Sequence, residues 1–447
     1  MQLQITTQNL DNDPLAFLLF SQVAPASIGF LVMSIYAIVD TFFVSHFIGK
    51  LAIAAVSIVM PIVFLIAAFG MAIGVGGASV ISRAIGAGEN EKAQKAYGTQ
   101  ISLTLCLLVS FVALGLLGRR YVLQWFGCNQ EIMPFALSYY QIVTPSILFL
   151  GWAMMSNNVL RALNKPKVAM MSLIIPAISN IVLDPILIGV FNLGIAGAAW
   201  ATAFGYLSSG LFTFFYFSFG NPGLKLGSAK LNFDKGIVSE ISSIGLITLV
   251  RQAAFSILAI FLNNSLKYYG GSTAISVYGI IRSLTLFISF PIIGIMQGFM
   301  PIVGFNYGAK KYNRVRQVVR LANRWSIVTS ISLYLIVLLF AEYITQFFTD
   351  DNFLQGQTPF AMRLVFLAMP IIGIGFNASA YFQSIGKPKQ ALWLTLYRQG
   401  LFMIPLVMIL PTFMGIKGIW FSFPIGESLA TLVSFFWLKK NLKFLSD

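Results

Sequence analysis

Long apolar runs, each near the length of a bilayer crossing and each ended by a charged or Gly/Pro-rich break, recur along the whole 447-residue chain. A spanning helix needs about 20 mainly apolar residues. On that measure the breaks predict helices near 15–45, 51–80, 98–118, 135–160, 168–190 and 196–219, then 238–266, 273–304, 325–348, 359–383, 390–411 and 417–438. The one long polar connection, with Pro222, Gly223, Lys225, Lys230 and Lys235, separates the two sets of six. The expected fold is all-α and polytopic: a first lobe over 1–220, a linker over 221–237 and a second lobe over 238–447.

The halves repeat in a readable register. At an offset of 222 residues Ala52 and Ile53 meet Ala274 and Ile275, Gly86 and Ala87 meet Gly308 and Ala309, and Lys165-Pro166-Lys167 meets Lys387-Pro388-Lys389. One residue is then lost, and Gly194-Ile195-Ala196-Gly197 meets Gly415-Ile416-Lys417-Gly418. An even number of spans per repeat makes both halves enter the membrane from the same side, so the lobes should be related by a pseudo-two-fold along the membrane normal.

Composition agrees with the pattern: 57% hydrophobic, 10% charged and a mean hydropathy of +0.83 exclude an ordinary soluble enzyme. The net charge of +15 is a topology signal rather than a nucleic-acid one, because the basic residues lie between the apolar runs. Assigning loops to alternate sides gives one face twenty Lys and Arg and the other only Lys50, Arg119, Arg120, Lys267 and Lys417. The rich face, and both termini with it, should be cytoplasmic. Met1 to Pro14 holds no Lys or Arg, so no cleavable leader is expected. The two cysteines, Cys106 and Cys128, are not expected to pair, and a single histidine, His46, rules out a Cys/His metal centre by count.

Against this background the acids inside the runs stand out. A carboxylate at mid-bilayer costs roughly 2.5–3.5 kcal/mol and faces a partner, a cavity or an ion path. Asp184 has Asn180 one helical turn before it, and Asp40 has Tyr36 in the same relation. In the repeat register Tyr36, Asp40, Asn180, Asp184 and Thr202 fall opposite Leu258, Leu262, Phe402, Leu406 and Phe423, so the polar set belongs to the first lobe only. A function of that lobe explains the asymmetry more directly than a polar network that only holds helices together. Two buried carboxyls close together can hold a proton and trade it for a cation.

Asp40-Thr41, the Arg83-Ala84-Ile85-Gly86-Ala87-Gly88 loop, the Arg161 to Pro166 turn, Asn180-Ile181-Val182-Leu183-Asp184-Pro185 and the Gly194 to Thr202 stretch resemble the multidrug and toxic compound extrusion (MATE) transporters, in the prokaryotic DinF-like branch. The resemblance covers nearly the full length. It implies a non-enzymatic antiporter of twelve helices in a prokaryotic cytoplasmic membrane, acting as a monomer on small organic, often cationic, compounds with no cofactor beyond a coupling H⁺ or Na⁺. Carried onto this chain, Asp40, Asn180, Asp184 and Thr202 form the cation-coupling site, with Na⁺ as one occupant, and Tyr36, Tyr139 and Asn157 line the cavity.

The second lobe carries a different set. Arg251, Arg282, Arg398 and Glu427 are expected to be buried there, with Arg251 near one end of its span and Arg398 and Glu427 at comparable depths of adjacent spans, placed to pair. No acid sits mid-span in spans seven or ten, which argues against a sodium site in this lobe. The arginines leave one alternative, a flippase for a lipid-linked oligosaccharide, whose pyrophosphate would call for a strongly cationic cavity.

Overall fold

The computed structural model describes residue 10 and residues 13–47, 50–229 and 231–445, which form helices and connecting turns with no strand among them. In chain order the first lobe contributes α1 (Leu15–Phe47), α2 (Lys50–Gly86), α3 (Asn90–Leu117), the short α4 (Arg119–Trp125), α5 (Met133–Ala162), α6 (Pro166–Asp184) and α7 (Gly194–Phe219). The second contributes α8 (Lys235–Gly308), α9 (Tyr312–Phe348), α10 (Asn352–Val365), α11 (Met369–Ser384), α12 (Pro388–Leu396), α13 (Ile404–Met414) and α14 (Ile416–Lys443).

Nine described segments are long and apolar enough to cross a bilayer unaided. Three further features bring the number to twelve. Helices α10 and α11 form one span bent by 48°. The 74 residues of α8 are two spans, because Gly271 leaves helical geometry at φ 62° and ψ −155°. Helix α7 has the length of a span, 26 residues, with glycines, serines and threonines that dilute its hydropathy. Helices also overrun the apolar runs: α3 begins at Asn90 and α9 at Tyr312, well before the hydrophobic stretch in each. Hydropathy marks the hydrocarbon layer, whereas backbone hydrogen bonding continues into the polar turns outside it. The side chain of His46 lies outside the described residues, and Cys106 and Cys128 are unpaired.

The repeat recurs in the backbone. Positive φ occurs at Gly88 and Lys310 and at Asn164 and Gly386, both pairs 222 residues apart, and at Gly194 and Gly415, 221 apart. Spans five and eleven each contain a stretch of π-helix, Pro185–Val190 and Tyr397–Met403.

Packing divides the described residues into two compact units, one made up of those between 24 and 248 with residue 10 and the other of 13–23 and 249–445. The start of span seven thus packs in the first unit and the start of span one in the second. A matched pair of glycines makes each contact close. A Cβ on Gly76 would collide with the Ile241 carbonyl, and one on Gly298, exactly one repeat later in register, would come within 2.8 Å of the Val23 backbone nitrogen. Small residues let helix backbones approach in this way. Gly76→Ala and Gly298→Ala should each lower stability by roughly 1–3 kcal/mol, since backbone rather than a side-chain tip must move. Equal melting temperatures of variants and parent in detergent would refute this.

In the second unit Arg398 and Glu427 form a bidentate pair, Nε to Oε2 at 2.8 Å and Nη2 to Oε1 at 2.9 Å, with both side chains largely buried. The Arg398 guanidinium also lies 4.0 Å from the centre of the Phe376 ring. Removing one member of such a pair costs about 3–5 kcal/mol, whereas removing both together costs much less. Arg398→Met and Glu427→Gln should each destabilise the protein, and the double variant should recover most of the loss. Additive losses would show that the two residues act separately.

Candidate cation-coupling site

Asp40 stands on α1, and α6 ends at Asp184, with Asn180 one turn before it. Pro185 explains that ending. It has no N–H for the Ile181 carbonyl, so the α pattern breaks. The chain continues as six residues of π-helix, Pro185–Val190, and the Phe191 N–H bonds to the Ile186 carbonyl at 2.9 Å. Such π segments recur at functional sites because they re-aim side chains without ending the helix.

Helix α7 then returns against α6 at very short range. A Cβ on Gly197 would lie 2.8 Å from the Leu187 carbonyl oxygen and one on Gly205 3.0 Å from that of Pro176. Between these two contacts lies Thr202, which is carried onto Asn180. With the Asn180 amide turned so that both ends find complements, Nδ2 donates to Asp184 Oδ2 at 2.7 Å and Oδ1 accepts from the Thr202 N–H at 3.2 Å. Amide orientation is chosen from the surrounding network, since its two terminal atoms look alike. The hydroxyls of Thr202 and Tyr139 lie 3.3 Å apart, bringing α5 into the same cluster.

The carboxyls of Asp40 and Asp184 are hydrogen-bonding neighbours, and Asn180 is the second such neighbour of Asp40. Asp40 is 6% exposed and Asp184 fully buried, and one oxygen of each, Oδ1, has no further hydrogen-bond partner. Among the described residues neither acid pairs with a Lys or Arg. The surrounding polar groups are neutral: Asn180, Thr202 and the phenols of Tyr36, Tyr139 and Tyr206, all three close enough to Asp40 to interact with its charge. Tyr139 and Tyr206 belong to the apolar core of the first lobe, which excludes water from that side. Chemically this is a buried cluster of two acids and neutral donors that lacks one or more positive charges.

Tyr206 is the member that sequence reading missed. It lies four residues after Thr202, on the same helical face, and that spacing would have found it. Asn157 is not part of the group. It lies 18 residues beyond Tyr139 on α5, about 27 Å along the axis, where it donates to the Ala169 carbonyl at 2.6 Å and accepts from Arg161 Nε at 3.0 Å. In the second lobe the matching place is packed shut: Leu258 and Leu262 are core residues, with Phe423 against them. Arg282, expected to be buried, is exposed. The core stripe of that arm of α8 runs through Ala274, Val277, Ile281 and Ile288, and residue 282 is turned about 100° away from it.

The MatE family model matches residues 25–186 and 246–409. The multidrug export protein MepA of Staphylococcus aureus (strain COL) is 27% identical over 417 residues, covering 92% of this chain and 90% of that protein. MepA of Staphylococcus haemolyticus (strain JCSC1435) is 27% identical over 419 residues with the same coverage. Among solved structures, the outward-facing conformation of a multidrug resistance MATE family transporter of the MOP superfamily superposes with a TM-score of 0.92 at 25% identity, over 98% of both chains. A MOP superfamily transporter from Pyrococcus furiosus, described as having a binding pocket of reverse polarity, gives 0.91 at 25% identity over 100% of this chain and 98% of its own. With both halves of the repeat matched and the whole fold superposed, the chain belongs to the MatE family of multidrug and toxic compound extrusion transporters.

Proposed function

We propose that this chain is a secondary active exporter of small organic compounds, many of them cationic, and that it exchanges them for protons carried by Asp40 and Asp184. It works as a monomer in the cytoplasmic membrane of a prokaryote, with both termini in the cytoplasm, where the bias of basic loops puts them. The observation that carries the reading is the acid pair: two buried carboxyls within hydrogen-bonding reach, with no cation paired to them among the described residues. A hydrogen bond between two carboxyls needs a proton on one of them. Loss of that proton leaves an unscreened negative pair, which draws in an organic cation or a fresh proton.

The magnitudes suffice. One proton entering down 100 mV and one pH unit supplies about 2.3 plus 1.4 kcal/mol, enough for a gradient of several hundredfold in a neutral compound. A monovalent cation leaving against one proton gains only the pH part, so a pair that can carry two protons has an advantage over a single acid. Sodium would use the same oxygens, and imposed gradients distinguish the two ions. The flippase alternative is not favoured. Arg398 is neutralised by Glu427 and Arg282 is exposed, which leaves too little positive charge in the second lobe for a pyrophosphate.

In proteoliposomes loaded with a cationic dye, an imposed pH gradient should drive transport by the parent protein. Asp40→Asn and Asp184→Asn should each cut the driven rate at least tenfold while inserting normally, because an amide keeps the size and cannot titrate. Native rates in Asp184→Asn, or transport that follows a sodium gradient and ignores pH, would overturn proton coupling. Asn180→Ala and Thr202→Ala remove groups that only donate and accept hydrogen bonds. Both should slow transport and move its pH optimum without abolishing it. If both variants instead fail to yield folded protein, the cluster is structural.

A further inference from the structure

The second unit holds a polar pocket that the coupling reading does not use. Its wall includes Arg251 from α8, Phe376 and Ser379 from α11, Arg398 from the π-helical stretch and Glu427 from α14. Charge in this wall does not balance. Both guanidinium edges that face Glu427 are bound to it, and the flat face of Arg398 covers Phe376. Arg251, by contrast, forms no hydrogen bond or ion pair among the described residues, and it lies close enough to Arg398 for the two like charges to repel. Two arginines and one glutamate leave the wall one positive charge in excess.

The position of Arg251 sharpens the point. Sequence reading puts it near one end of its span, yet Arg251 lies at the middle both of the predicted run, 238–266, and of the helix arm from Lys235 to the break at Gly271. An arginine at that depth is expensive unless it faces a partner or a polar cavity, and such residues mark substrate and ion paths. At the matching positions the first lobe carries no charge. In the repeat register Arg251, Arg398 and Glu427 fall opposite Gly29, Pro176 and Tyr206.

We propose that this pocket is an anion subsite, in which Arg251 receives the carboxylate of an organic monoanion or zwitterion while Glu427 holds Arg398 in place. One monoanion restores neutrality, and the narrow pocket suits a carboxylate head better than a pyrophosphate. As a substrate subsite the proposal rests on the efflux reading above; as a binding site it stands without it. It is also energetically coherent, since an anion leaving against an entering proton moves two charges in the direction an inside-negative potential favours.

The test is equilibrium binding of 1-naphthoate and its neutral isostere 1-naphthamide to the full-length protein in nanodiscs at pH 7. The parent should bind the carboxylate at least tenfold more tightly than the amide. Arg251→Gln should erase that preference, and Arg251→Lys, which keeps a point charge but not the planar fork, should retain part of it. Equal affinities in the parent, or a preference undiminished in Arg251→Gln, would overturn the proposal. If Arg251→Gln does not fold, the same criterion applies to Arg251→Lys, where an undiminished preference for naphthoate in a folded variant bearing the wrong donor geometry counts against recognition by this residue. Dye efflux in the parent keeps the two readings apart: naphthoate binding without pH-driven efflux defeats the efflux reading alone, and efflux without naphthoate preference defeats the anion subsite alone.

Discussion

Hydrocarbon offers no water to a charge, so every ionisable group inside this bundle needs a partner, a proton or a ligand. Asp40 and Asp184 have each other. The first lobe is arranged around that relationship: Pro185 and the π-helical stretch set the end of α6, and the short contacts at Gly197 and Gly205 bring α7 against it. Tyr139 and Thr202 close the group from α5 and α7 with hydroxyls that can donate or accept. Nothing in the cluster supplies a permanent positive charge. The pair is therefore left to be neutralised by whatever mobile cation reaches it, which is the property an exchanger needs.

The duplicated scaffold carries two differently charged sites at different places. Where the first lobe has its acids, the second has Leu258, Leu262 and Phe423 packed into a core. Where the second has Arg251, Arg398 and Glu427, the first has Gly29, Pro176 and Tyr206. On the first span of each lobe the two charged positions, 40 and the equivalent of 251, are eleven residues apart in register, about 16 Å of helix. Duplication fixed the backbone, down to paired left-handed residues such as Asn164 and Gly386. Side-chain chemistry then diverged within it, so the cluster in one lobe gained a deficit of positive charge and the pocket in the other a surplus.

A charge deficit and a charge surplus suit different tasks. The acid pair is buried and hydrogen-bonded to a neutral donor, which suits a small ion that must be taken up and given back. The Arg251 pocket is lined by an aromatic ring and a neutralised ion pair, which suits a larger group with one fixed charge. The bidentate contact between Arg398 and Glu427 is what separates these roles. Without it the second pocket would hold either two free cations or an additional acid.

The number of spans, the repeat offset and the confinement of the paired aspartates to one lobe were all legible in the chain, because hydropathy and register are properties of covalent order. The Arg398–Glu427 pair was legible too, since a short connection holds adjacent antiparallel spans at matched depth. What the chain could not show is how each helix is rotated about its axis and where it bends. Those are set by close contacts between distant segments, such as Gly76 against Ile241 and Gly205 against Pro176. Rotation turned Arg282 away from the core. Hydropathy reports whether a stretch lies in hydrocarbon, but only packing decides which face of it meets a neighbour and which is left to meet a ligand.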